Sequence, residues 1–351
     1  MGTSRRGNER CADARETGAE LTHDAELDLL GIGNAIVDIL THTEEELLAA
    51  EGLAKGSMTL IDAARADAIY AGMGPGVEVS GGSVANSVAG AASLGSRTAY
   101  IGKVHDDEFG RVFAHDIRAA GVHFETRPAT GGAPTARCFI LVTPDAHRTM
   151  STYLGACVEL GPEDIDEDLV ARAAVTYLEG YLWDPPRARE ALRVASAAAR
   201  RAGRRVALSL SDSFCVERHR DEFRALVDDQ VDILFANELE LLALYESPDL
   251  PTAVAELRGR CEIALVTRSE HGSMVVTDDD IVDVPAHPVG RVVDTTGAGD
   301  LYAAGFLHGL THGLPHPESA ALGALAAAEV ISHFGARPEA DLSALARSVP
   351  R

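Results

Sequence analysis

Near the C-terminal end, Asp294-Thr295-Thr296-Gly297-Ala298-Gly299-Asp300 places two carboxylates around a run of small residues. The run follows the apolar, strand-like Val292-Val293 and leads into a helix-like LYAAGFLHGL. A helix start leaves backbone N–H groups without partners, and the positive end of the helix dipole lies there too. The backbone N–H groups of Gly297, Ala298 and Gly299 therefore read as a cradle for a phosphate oxygen, which small residues let approach closely. A carboxylate beside such a cradle repels its ligand unless it has a task. The task that fits Asp300 is to take the proton from a hydroxyl attacking a phosphoryl group. The competing reading is an Asp that compensates the dipole over a tight glycine turn.

The full string resembles the signature of the PfkB (ribokinase-like) family of carbohydrate and nucleoside kinases. There the first Asp, the Thr pair, the small-residue turn and the last Asp recur together, and Ala303, Ala304 and Gly305 fit as well. The resemblance runs over roughly residues 27–345. It implies an α/β three-layer sandwich with a mostly parallel central sheet and a small β-sheet lid, using ATP as phosphoryl donor.

Other constellations add an acceptor and a metal. Gly31-Ile32-Gly33-Asn34-Ala35-Ile36-Val37-Asp38 ends a first strand-like run. A dinucleotide fingerprint needs a small residue where Ile36 stands, so an NAD dehydrogenase is disfavoured. Asn34 and Asp38 offer an amide and a carboxylate suited to a vicinal diol, although Asp38 is equally a capping candidate. The resemblance implies ribose contacts for both, since adenosine kinases within the family carry G-N-x-x-x-D. Gly81-Gly82-Ser83-Val84-Ala85-Asn86 opens a helix and reads either as a glycine hinge or as a substrate-binding turn. It resembles the family's Gly-Gly…Asn element, which implies substrate contacts for Gly82, Ser83 and Asn86. Val84 stands where a small residue is usual.

Asn237 and Glu240 follow the strand-like VDILFA. A Glu there ordinarily offsets the dipole. Similarity to the family's N-x-x-E motif implies that the pair organises Mg²⁺, mainly through water, as that hard cation prefers. Thr267 through Gly272 resembles a nucleotide loop with Ser269 in place of a glycine, which implies ATP contacts for Thr267 and Gly272. Thr296, Gly297 and Gly299 join them from the signature. Arg148 is either a solvated hairpin residue or, by the same resemblance, a partner of the transferring phosphate. Asp294 and Thr296 match half of the K⁺ site that some members carry, with Glu339 departing from the other half, so K⁺ dependence stays open. GKVHDDEFG (102–110) is taken as ordering a helix start, and no GxxxxGK[ST] loop is present.

These residues need a scaffold. The chain has 351 residues, enough for one large α/β domain with an appendage, and 46% hydrophobic content with 5% aromatics suits an Ala/Leu/Val core. Strand-like runs lie at 27–33, 98–104, 175–182, 205–211, 231–237 and 262–268, separated by Ala-rich helical segments. Such alternation predicts a parallel sheet covered on both faces, with ligands at the C-terminal strand ends. Segments of about 39–62 and 134–154 break the rhythm and read as paired strands, the two parts of the lid. Residues 1–26 read as a disordered leader before a kinase domain spanning 27–351.

A net charge of −23 argues against nucleic acid or an anionic membrane as partner. No run approaches ~20 uninterrupted apolar residues. Five scattered cysteines without metal spacing point to reduced thiols and a cytoplasmic protein, monomeric or homodimeric.

The expectation is an ATP- and Mg²⁺-dependent kinase acting on the 5′-hydroxyl of a nucleoside, adenosine foremost. LSLSDSF (208–214) supports this by resembling the adenosine kinase element, and Phe139 and Tyr153 are candidates for an adenine slot. A sugar kinase of the same family and a non-catalytic nucleoside or nucleotide sensor are the alternatives.

Overall fold

The computed structural model describes residues 25–145 and 147–348, so most of the expected leader lies outside the described residues. Its last two positions belong to the fold: Ala25 is buried, and Glu26 pairs with Arg172 at 3.2 Å.

The expected strand-like runs form strands. In chain order the strands are β1 (Leu27–Ile32), β2 (Ile36–His42), β3 (Met58–Leu60), β4 (Val77–Gly81), β5 (Thr98–Ile101), β6 (Val122–Phe124) and β7 (Ala136–Val142). There follow β8 (Arg148–Tyr153), β9 (Ala173–Glu179), β10 (Arg205–Ser209), β11 (Ile233–Asn237), β12 (Ile263–Thr267), β13 (Ser273–Val276) and β14 (Ile281–Val284). Nine of them build the large sheet in the order β14-β13-β12-β11-β10-β9-β1-β5-β6. Every pairing from β6 to β12 is parallel; β13 and β14 close one edge antiparallel.

Alternation along each strand splits its side chains between two cores. Leu29, Val175, Tyr177, Ala207, Ile233 and Phe235 face one core, which includes the helices Ser83–Leu94 and Ala298–Thr311. Leu30, Ile32, Leu178, Leu208 and Leu234 face the other, beneath the helices Pro186–Arg201 and Ser213–Asp229. This is the expected three-layer α/β arrangement.

The smaller sheet has the order β3-β8-β7-β2-β4 and differs from the expected pairing. Residues 39–62 do not form a hairpin. They contain the short helix Glu45–Ala50, and β2 pairs with β4 and β7 while β3 pairs with β8. Segment 134–154 does supply an antiparallel pair, β7 and β8. Phe139 is fully buried and packs near Tyr70, so it is not available as a wall for a ring, and Tyr153 is half-buried beside Arg137.

Among the described residues no helix is long and apolar enough to cross a membrane. Cys138, Cys157, Cys215 and Cys261 are free thiols.

Candidate active site

Gly297 takes a left-handed φ of 77° and caps the helix that begins at Ala298. A β-carbon on Gly297 would come 2.8 Å from the Ala336 Cβ, which is why the turn needs a residue without one. Of the three expected cradle donors, Ala298 is already engaged: its N–H donates to Thr295 O at 3.2 Å. That is a correction, because the 295–298 turn closes on itself. Gly297 and Gly299 keep their N–H groups free of such a bond, and Gly299 faces open space and lines a cavity.

Asp300 sits on the first turn of this helix, facing the first turn of the Ser83–Leu94 helix. Ser83 Oγ donates to its Oδ1 at 2.6 Å and Asn86 Nδ2 to its Oδ2 at 2.9 Å. Burial pushes the Asp300 carboxyl up to about 6, against the pull of those two hydrogen bonds and the charge of Arg337. A carboxylate with that value is ionised at neutral pH yet basic enough to accept a proton. The two partners are possible only because of Gly82. With φ at 102°, it caps the helix where a β-carbon would lie 2.0 Å from Asn34 O.

The cavity beside Asp300 measures about 240 Å³ and is lined by Ser83, Asn237, Glu240, Thr267 and Gly299 among others. Thr267, Asn237 and Glu240 are thus brought to the carboxylate, each from the C-terminal end of a strand or the turn after it. Gly272 is not among the lining residues. Its left-handed φ of 81° and a β-carbon position 2.1 Å from Val284 O make it a backbone turn packed on β14.

Asn34, Asp38 and Asn86 are not part of that lining; Asn86 joins the site through Asp300. Asn34 Nδ2 donates to Glu179 Oε1 at 2.6 Å, and Glu179 Oε2 accepts from Asn34 N and Val84 N. Burial lifts the Glu179 carboxyl to about 7. Asp38 lies where a Gly81 β-carbon would be, 2.3 Å from its Oδ2, and burial lifts it to about 7 despite Arg337 and Arg148. Val84, bulky for its position, fills the space over Gly31, whose missing β-carbon would sit 2.6 Å from it.

Arg148 reaches from β8 across to the cradle. Its guanidinium pairs with Asp294, donates to Thr296 Oγ1 at 2.9 Å and lies 5.8 Å from the centre of the Phe334 ring. Asp294 also accepts from Thr296 N and Gly335 N at 3.0 and 3.1 Å. The solvated-hairpin alternative for Arg148 is therefore excluded.

Asn237 and Glu240 form a closed capping box: Asn237 N and Nδ2 donate to the Glu240 carboxylate at 3.0 and 2.6 Å, and Asn237 Oδ1 accepts from Glu240 N. Burial lifts Glu240 to about 7. Among the described residues no group of three His, Cys, Asp or Glu side chains is placed to hold a metal. The amide of Asn237 and the carboxylate of Glu240 are hard oxygen groups, the chemistry that a Mg²⁺ contact through water uses.

Several residues in or next to the cavity had weak sequence signals. Glu179 is the one charge closing the apolar run AAVTYLE, and a carboxylate in that position is the signal that marks it. Ser211 has a left-handed φ of 73° and lines the cavity with Ser209 and Tyr177. The GKVHDDEFG segment does order a helix start, Asp107 accepting from Gly110 N at 2.8 Å.

Residues 74–342 match the model of the pfkB family carbohydrate kinases. The chain belongs to the pfkB family. This pfkB kinase is a phosphotransferase with an alcohol acceptor and ATP as donor. It superposes on a structure from Sinorhizobium meliloti described as adenosine kinase with a TM-score of 0.85 and 55% identity, covering 92% of this chain and 99% of that one. A probable sugar kinase from Rhizobium etli CFN 42 gives a TM-score of 0.86 and 49% identity, with 92% and 98% covered. A 5-dehydro-2-deoxygluconokinase from Geobacillus thermodenitrificans is 30% identical over 265 residues, 72% of this chain and 78% of its own.

Proposed function

We propose that this pfkB kinase transfers the γ-phosphate of ATP to the 5′-hydroxyl of a nucleoside, with adenosine as the leading acceptor. The observation that carries the acceptor is the 55% identity, along nearly the full chain, to the Sinorhizobium meliloti protein described as adenosine kinase. In the proposed step Asp300 takes the hydroxyl proton, the freed oxygen attacks the γ-phosphorus in line, and the bond to the β-phosphate oxygen breaks to release ADP. Asn34 and Asp38 hold the ribose diol, and Asn86 fixes Asp300 beside the attacking oxygen. The Gly297 and Gly299 N–H groups, with Arg148 shifted from Asp294 towards the phosphate, stabilise the transferring charge.

Mg²⁺ held by the phosphates would neutralise their charge, with Asn237 and Glu240 fixing its water shell. The small sheet acts as the lid that keeps water from competing with the acceptor. The high net negative charge fits a cytoplasmic enzyme of small molecules rather than a nucleic-acid binder.

A sugar kinase is the second reading, favoured by the similarity to the 5-dehydro-2-deoxygluconokinase and the probable sugar kinase. A panel of adenosine, other nucleosides, ribose, fructose and 5-dehydro-2-deoxygluconate, assayed for ATP-dependent phosphorylated product, separates the two. Turnover of a sugar without any nucleoside would overturn the proposal. Binding without turnover on every member would point to a sensor.

A further inference from the structure

Three consecutive residues after the helix His316–Val330 reach three parts of the site. Gly335 N–H donates to Asp294, and Ala336 packs on Gly297. Arg337 turns inward: its Nε and one terminal nitrogen bind Ser80 O at 2.9 and 2.7 Å, and the other terminal nitrogen binds Ala85 O at 2.9 Å. Ser80 and Ala85 flank the Gly81-Gly82 turn. The bridged segment carries Ser83, and Asn86 follows directly; these are the two donors to Asp300.

A buried guanidinium bonded only to neutral oxygens is costly unless carboxylates stand near it. Here they do. Asp116 holds the Ser80 N–H and hydroxyl, and Asp38 and Asp300 face the same charge.

We propose that Arg337 is a positioning residue for phosphoryl transfer: it staples Ser80 to Ala85 across the glycine turn, aims Ser83 and Asn86 at Asp300, and sets a fixed positive charge before that carboxylate. This rests on the reading of Asp300 as the base. The ionisable groups facing Asp300 are Asp38, Glu179, Tyr177 and Arg337, with Glu240 and Tyr302 lining the same cavity, and among these only Arg337 is cationic. A lysine would keep the charge but, with one nitrogen, lose the fork that spans both carbonyls.

The test compares kcat against pH for wild type, Arg337→Lys, Arg337→Gln and Asp300→Asn, with ATP, Mg²⁺ and adenosine (or the panel sugar, if adenosine is not turned over). Thermal melts establish which variants fold. Arg337→Gln is expected to lower kcat roughly tenfold and move the acid limb up by about one pH unit, because a charge that favours ionised Asp300 is gone. Arg337→Lys is expected to lower kcat while leaving the limb in place. A folded Arg337→Gln with the wild-type limb overturns the proposal. Should that variant not fold, Arg337→Lys decides: wild-type kcat or an upward-shifted limb overturns it. If Asp300→Asn retains turnover, the base reading itself fails; if it is inactive while the Arg337→Gln limb stays put, only the Arg337 assignment fails.

Discussion

The hydroxyl of Ser83 lies 2.6 Å from Oδ1 of Asp300, although the two residues are 217 positions apart. Two helix starts are thus joined through a carboxylate, one supplying the donors and the other the cradle. Neither half is complete alone: Asp300 without Ser83 and Asn86 loses both side-chain partners, and those donors without Asp300 have no carboxylate to orient.

Replacing Asp300 by Asn preserves volume and both neighbours but removes the proton acceptor. Turnover should fall between about 10² and 10⁴-fold, while the circular dichroism spectrum and ATP affinity stay near wild type. Undiminished turnover would assign the proton to another group.

Ser83→Ala deletes a bond that favours the ionised carboxylate. The acid limb of the rate profile should therefore rise, and kcat at pH 6 should drop more than kcat at pH 8. A uniform loss at both pH values would mean that Ser83 orients Asp300 without tuning it.

Arg148→Ala cuts the tie between the small sheet and the cradle. A loss of roughly 10²-fold in kcat is expected, together with faster amide exchange along β8. Exchange is the decisive readout, since a phosphate-only role would leave the unliganded protein unchanged.

Glu179 is lifted to about 7 from an ordinary value of 4.5, so the folded state holds its proton more tightly than the unfolded chain. That contribution to stability is complete below pH 4.5 and is lost as pH rises through about 7. Glu179→Gln lacks it. The melting temperature of wild type relative to the Gln variant should accordingly fall between pH 5 and pH 8; a constant difference would show that the carboxyl is not protonated in the fold.

Gly82→Ala combines a left-handed φ with a clash against Asn34 O. Destabilisation of at least ~2 kcal/mol is expected from denaturant unfolding, and a change within a few tenths would mean that the turn relaxes freely.

Much of this is legible in the sequence. The apolar runs fixed six strands of the large sheet because a strand buried on both faces must be apolar throughout. The small-residue run before Asp300 marked the left-handed turn at Gly297, because few residues other than glycine tolerate it. Elsewhere long-range pairing decided matters that local pattern cannot carry. β2 has the alternation of a hairpin strand, yet its partners β4 and β7 come much later in the chain, and the run Glu44–Gly52, rich in helix formers, carries a helix where a return strand was expected. Glu179 and Arg337 were missed for a related reason: each is one charge whose partners sit on other elements. The sequence could not separate a packing role for Gly272 from a ligand-facing one, because a glycine required by a tight backbone approach looks the same in both.

Asn34 and Asp38 are four residues apart, yet one follows the end of β1 in the large sheet and the other belongs to β2 in the small one. A molecule that grips both side chains at once would therefore tie the two sheets together at their junction. An acceptor lacking one of two adjacent hydroxyls would hold only one of the two sheets, and would be penalised in the precision of its placement as well as in affinity.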